Sequence, residues 1–175
     1  MSTRKEQENV IFFFGSGAKS GDAACLSNFY ELAPFVDERG RAFLTSEHCY
    51  MAAKAEEFGD AATLAAIMAA PTPQKAKKYG RQVVGFDEAI WNAVARERMT
   101  HACLLKFRQN RKIRRFLLST GDALLAEASP FDPIWGIGLS ASEAASTPRK
   151  EWPGSNWLGE VLMRVREQLR REAES

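Results

Sequence analysis

From Thr45 to Ser119 the chain reads as helix after helix, each opened by a polar residue suited to cap it. Thr45 or Ser46 starts a helix that begins near Glu47 and runs through CYMAAKAEEF. Glu47 puts a carboxylate in the first turn, where the helix dipole favours it. Asp60 opens AATLAAIMAA, which Pro71 stops. Thr72 followed by Pro73 is a capped start with proline at the first helical position, and Gly80 is expected to close that short helix. Asp87 opens a long helix from Glu88 to about Gln109, whose apolar content is Ile90, Val94, Ala102, Leu105 and Phe107. A further segment, Lys112 to Ser119, brings Ile113, Phe116 and Leu117. So many consecutive helices leave no place for the strand–helix alternation of a doubly wound parallel sheet.

The rest of the chain agrees. The last helix is the clearest: Leu158, Val161, Leu162, Val165 and Leu169 recur at helical spacing, and Gly154-Ser155-Asn156 supplies its start. Strand signals are short. They are Val10–Phe14, a hairpin of Phe35-Val36 with Ala42–Leu44 around Arg39-Gly40, and Ala123–Ala128, which fits a strand or a helical turn. The expectation is a mainly α fold with a few short strands, one domain over residues 10–171, a disordered N-terminal tail over 1–9, and fraying at Glu172–Ser175. A chain of 175 residues is long enough for a real core. Its formal charge of +2 provides no global field for nucleic acid, so any basic site is local. Cys25, Cys49 and Cys103 are odd in number and far apart, which suits reduced thiols in a cytoplasmic protein. MSTRKEQENV is too polar for a signal peptide, and no apolar run approaches the ~20 residues of a membrane span.

One stretch imitates a nucleotide loop. IFFFGSGAKSGD runs a short apolar segment into Gly15, Gly17 and Gly21. The spacing is GxGxxxG, Ser20 stands where a third glycine belongs, and no crossover helix follows, so neither a Rossmann nor a Walker loop fits.

Chemistry-bearing residues gather in two places. Glu47, Tyr50 and Lys54 share one helix face, with Glu47 and Lys54 roughly 10 Å apart along the axis. Spacing alone favours a solvated face with one buried tyrosine. The second place is the irregular stretch from Ser129 to Ser155, where Phe131, Trp135 and Trp152 argue against disorder and the length argues for function. Within it, Asp132 lies between Pro130 and Pro133, ahead of Trp135-Gly136-Ile137-Gly138. That combination fits sugar or base recognition with carboxylate help, or equally a tight turn packed on an aromatic. His48 and His101 read as structural, and no metal-ligand motif is visible. Two basic clusters, Lys75/Lys77/Lys78/Arg81 and Arg111/Lys112/Arg114/Arg115, fit phosphate contact or solvated helix faces.

Read together and in order, FFFG (Phe12–Gly15), LSNFY (Leu26–Tyr30), APF (Ala33–Phe35), SEHCYMAAKA (Ser46–Ala55), FGD (Phe58–Asp60), GRQV (Gly80–Val83), KFRQN (Lys106–Asn110), LLSTGDALLAEASPFDPIWGIGL (Leu117–Leu139) and WPGSNWLGEVLMRVR (Trp152–Arg166) resemble the NADAR family, also called YbiA-like. The resemblance implies a single-domain YbiA-like helical fold and hydrolysis of N-glycosidic bonds; with no metal motif in the sequence, that activity is expected without metal or cofactor. It implies one of two substrates. The first is ADP-ribose on the exocyclic amine of guanine in nucleic acid, with a DarT-type toxin as partner in some members. The second is a phosphoribosylamino-pyrimidine intermediate of riboflavin synthesis. A non-catalytic ADP-ribose-binding module is the reading from another class.

The family motifs also imply roles. Glu47 is the first choice for the carboxylate that stabilises positive charge or activates water, and Asp132 the second. Lys54 is expected to protonate, to bind phosphate or to form a Schiff base. Phe14 and Gly15 are expected to line the pocket beside Tyr50. Trp91 and Trp135 are candidates to stack on a base, Trp91 equally fitting the core. Asn28 and Asn156 are candidates for ribose hydroxyls, and Gly136 and Gly138 for amides facing a phosphate. The SGAKSGDAAC insert is expected at the rim. Cys49 and Ala52 depart from the family's usual aromatic and glutamine, so no substrate contact is expected from either.

Overall fold

The computed structural model describes residues 9–16 and 18–174. The tail expected over 1–9 lies outside the described residues except for Asn9, whose carbonyl accepts from the Leu124 amide at 2.8 Å. Among the described residues seven α-helices carry the fold: α1 (Ser46–Glu57), α2 (Ala61–Met68), α3 (Pro73–Gly80), α4 (Glu88–Gln109), α5 (Arg111–Ser119), α6 (Ala141–Ser146) and α7 (Trp157–Glu174). Strands β1 (Val10–Phe13) and β4 (Leu124–Glu127) pair in parallel, Val10 opposite Leu124 and Phe13 opposite Glu127. Strands β2 (Phe35–Val36) and β3 (Ala42–Phe43) form the small antiparallel hairpin. Two 3-10 segments, Ala18–Leu26 and Arg149–Glu151, complete it. No helix among the described residues is long and apolar enough to cross a membrane.

The caps explain where the helices begin. Thr45 accepts from the His48 amide, Asp60 from Thr63, Thr72 from Lys75 and Asp87 from Ile90, each satisfying an amide that the first turn cannot. Helix α1 then packs on α2, α3 and α4, while α4 packs on α7 and α7 on β4. Ile67, Phe43, Met99, Phe107, Leu125, Leu158 and Leu162 fill the space between these layers and are fully buried. His48 ties α1 to the end of α2: its Nε2–H donates to the Ala70 carbonyl at 3.0 Å, and Nδ1 accepts from the Thr45 hydroxyl at 2.8 Å. Desolvation holds its pKa below the ordinary imidazole range, which keeps it in this neutral tautomer.

Several expectations need correction. Gly80 is the last residue of α3, as expected, but it keeps helical backbone rather than a left-handed turn, and Arg81 caps the helix. A Cβ there would meet the Met51 sulfur at 2.0 Å, so glycine is what lets α3 lie against α1. Ile90 is 52% exposed, and the buried face of α4 is carried by Trp91, Ala95, Met99, Ala102, Cys103 and Lys106. The stretch from Ser129 to Ser155 is not wholly irregular. Ser140 and Glu143 form a reciprocal capping box that opens α6. At the C-terminus α7 continues through Glu174, and Glu172 pairs with Arg108. Of the insert expected at the rim, Gly21 and Asp22 are exposed, whereas its end, Ala24 and Cys25, is buried.

Candidate active site

A cavity of about 840 Å³ opens where β1, α1, α3, α4, β4 and the start of α7 converge. Helix α1 is its floor, presenting Glu47, Tyr50 and Lys54. The face that spacing alone favoured as solvated is therefore the wall of a pocket. Of the sequence-predicted residues, Phe14, Gly15, Asn28, Glu47, Tyr50, Lys54, Trp91, Asp132 and Trp135 all line it.

Glu47 is 2% exposed and clamped by Asn28 from two sides. The Glu47 amide donates to the Asn28 carbonyl at 3.0 Å, and the Asn28 side-chain amide donates to Glu47 Oε2. Asn28 thus gives one of its two side-chain N–H donors to the carboxylate. Burial pushes the Glu47 pKa up to about 7; Lys77, the Asn28 hydrogen bond and Arg81 oppose the rise, and Asp132 adds to it. Lys54 is half-buried, its ammonium 4.1 Å from the Phe86 ring centroid. Its pKa is lowered, first by desolvation and then by Arg81, against the pull of Glu47.

Aromatic rings pack around Tyr50. Trp91 Nε1 donates to the Tyr50 hydroxyl at 3.1 Å, and the two rings lie 5.1 Å apart. Trp135 meets Tyr50 edge-on at 5.3 Å and Trp157 edge-on at 5.6 Å. Trp91 is thus both core and cavity wall. Asp132 builds the turn that holds Trp135: its Oδ1 accepts from the Ile134 amide at 3.0 Å and the Trp135 amide at 2.8 Å. The turn and the site are one arrangement.

Three of the predicted residues do not line the cavity. Asn156 donates to the Leu125 carbonyl at 2.9 Å and accepts from the Glu127 amide at 3.1 Å, so both ends of its side chain are taken up by β4. Gly136 donates its amide to the Asp132 carbonyl, and a Cβ there would meet that same oxygen at 2.8 Å. Gly138, at φ +73°, lies against Pro153 and Gly154. These glycines permit two loop backbones to cross, and neither lines the cavity.

Residues 12–170 match the NADAR domain family. N-glycosidase R617 of Acanthamoeba polyphaga mimivirus is 36% identical over 166 residues, 93% of this chain and 98% of that protein. N-glycosidase YbiA of Escherichia coli is 32% identical over 163 residues, 93% of this chain and 90% of YbiA. The solution NMR structure of E. coli YbiA superposes with a TM-score of 0.76 at 30% identity, covering 97% of this chain and 89% of that one.

The chain belongs to the NADAR family.

This NADAR-domain chain is accordingly an enzyme of the N-glycosidase class. Its cavity also holds groups that sequence reasoning missed. Glu127, at the end of β4, enters beside Asp132, Lys77 and Glu47. Desolvation pushes its pKa up to about 8; Asp132 and Glu47 add to the rise, and Lys77 opposes it. Of the first basic cluster only Lys77 and Arg81 line the cavity, Lys77 5.6 Å from the Phe29 ring; none of the second cluster does. The one signal for Glu127 was an acid closing an otherwise apolar strand, LLAE. Among the described residues no set of three or more His, Cys, Asp or Glu is placed to hold a metal ion.

Proposed function

We propose that this NADAR domain removes ADP-ribose from the exocyclic amine of guanine in nucleic acid. The observation that carries the reading is the layout of the cavity. The cavity is lined by the carboxylates Glu47, Glu127 and Asp132 together with the rings of Tyr50, Trp91 and Trp135 and the cations Lys54, Lys77 and Arg81. Such a layout suits a ligand with a base, a sugar and phosphates. The mouth favours the larger substrate. Phe131 is 86% exposed, and Phe14, Phe86 and Ile134 are also exposed around it. A phosphoribosylamino-pyrimidine would leave this apolar rim uncovered, whereas flanking bases of a nucleic acid would stack on it.

The two glutamates differ in surroundings, and that assigns their roles. Glu47 faces Lys77, Arg81 and the Asn28 amide, which favour its ionised form. Glu127 faces Asp132 and Glu47, with Lys77 as its opposing cation, and stays protonated to higher pH. In the proposed reaction Glu127 gives its proton to the leaving nitrogen as the bond from that nitrogen to the anomeric carbon breaks. Glu47 stabilises the positive sugar and takes a proton from the water that adds to the anomeric carbon, so free ADP-ribose and the guanine amine are released. Lys54 supplies an amine beside the reacting sugar.

The test is incubation of the purified chain with a guanine-ADP-ribosylated oligonucleotide, read by mass. The reading requires loss of the ADP-ribose mass with the native chain, and retention with Glu47→Gln or Lys54→Ala. An unchanged oligonucleotide alongside consumption of a phosphoribosylamino-pyrimidine would overturn it.

A further inference from the structure

Lys106 is fully buried in α4, outside the cavity. Its ammonium donates to the Cys25 carbonyl at 2.7 Å and the Ser27 carbonyl at 2.8 Å, between the rings of Tyr30 at 5.5 Å and Phe107 at 5.1 Å. Among the described residues no carboxylate pairs with it; the titratable groups facing it are the thiols of Cys103 and Cys25. Burial draws its pKa down to about 8, and the two thiols oppose the fall. A buried unpaired cation is costly, and a site that merely needed filling would hold methionine or leucine.

What Lys106 grips indicates why it is there. The two carbonyls belong to the segment that leads into Asn28, the residue that clamps Glu47 through both backbone and side chain. We propose that Lys106 is a positioning residue for the reaction: by holding the Cys25 and Ser27 carbonyls it keeps Asn28 in register with the first turn of α1, and so fixes the Glu47 carboxylate. The proposal rests on Glu47 being the reacting carboxylate.

The test is a double-mutant cycle of Lys106→Met and Asn28→Ala in the full chain. Lys106→Met alone is expected to lower kcat about 10–100-fold with little change in KM. In the Asn28→Ala background the same change should cost no more than about threefold. The ionisation of Glu47 should move up by about half a unit in Lys106→Met, because the Asn28 hydrogen bond that favours the carboxylate is loosened. The other groups facing Glu47, which are Lys77, Arg81, Asp132 and Glu127, are the same in both proteins. Carbon-13 NMR titration of the Glu47 carboxyl reads this shift without any substrate. Additive losses or an unmoved titration overturn the proposal. If the native chain turns over neither candidate substrate, the proposed function fails while the titration still decides for Lys106. Lys106→Gln keeps a neutral donor; partial recovery supports the positioning role, and this variant carries the same comparison if Lys106→Met does not fold.

Discussion

Glu47 and Glu127 are the same chemical group in two surroundings, and the difference between them makes the pH dependence predictable. In the proposed mechanism turnover needs Glu47 ionised, which sets in above about 7, and Glu127 protonated, which is lost above about 8. The expected kcat/KM profile is a narrow bell between those values, with limbs that belong to the coupled pair. Glu127→Gln should remove the alkaline limb and cut the rate by about 100-fold or more, and a rate–pH profile of the two proteins checks it. Stability moves the other way. Because the folded-state pKa of Glu127 is raised, the native state holds a proton that the unfolded chain releases near pH 4.3. The stability lost to Glu127 therefore grows as pH rises from there to about 8, and then stays constant. Glu127→Gln escapes that loss, so its Tm should exceed the native value by about 3–8 °C at pH 8 and by little at pH 4. Calorimetry at the two values checks the sign. None of this was legible from Glu127 itself. Its environment is assembled from β1, α1, α3 and the Asp132 turn, which the sequence holds far apart.

The helices were legible because caps are local chemistry. Thr45, Asp60, Thr72 and Asp87 each bond an amide three residues on, so four starts could be read from short windows. The Ser140–Glu143 capping box carried the same signal inside a stretch read as irregular, and a six-residue helix is too short to add periodicity. Contacts across elements were less readable. Gly80 does end α3, but nothing nearby in sequence announces the Met51 side chain beneath it, which is what requires a glycine there. Asn156 looked like a sugar ligand because its true partners, the backbone groups of Leu125 and Glu127, lie in a strand some thirty residues earlier. That tie joins α7 to the strand bearing Glu127. Asn156→Ala should strand two strand groups without partners and cost about 2–4 kcal/mol. The expected loss is roughly 5–10 °C in Tm, measured by thermal unfolding of the variant beside the native chain.

For the molecule as a whole, charge acts locally. A formal balance of +2 gives no long-range pull, so attraction to a phosphate-bearing ligand rests on Lys54, Lys77 and Arg81 at the cavity. KM for an ADP-ribosylated oligonucleotide should therefore rise by no more than about 100-fold between 50 and 500 mM salt, since at most the counterions matched by these few cations are displaced. Titrating salt in the turnover assay measures the slope, and a steep dependence would mean that a larger basic surface takes part. The mainly α character was readable from end to end, whereas the pairing of β1 with β4 was not, because each strand is short and the partner is remote. That pairing has a consequence for how the enzyme comes into being. Everything from Phe14 to Ala123 is one long crossover connection between two strands that meet only when both are present. On a ribosome, the emerging helices can form by themselves, yet Phe14 and Glu127 face no common space until β4 has cleared the exit tunnel and α7 has followed to cover it. Long-range closures of this kind are slow steps, so the catalytic centre is the last part of the protein to exist, and any chain cut short before Glu127 is born without one.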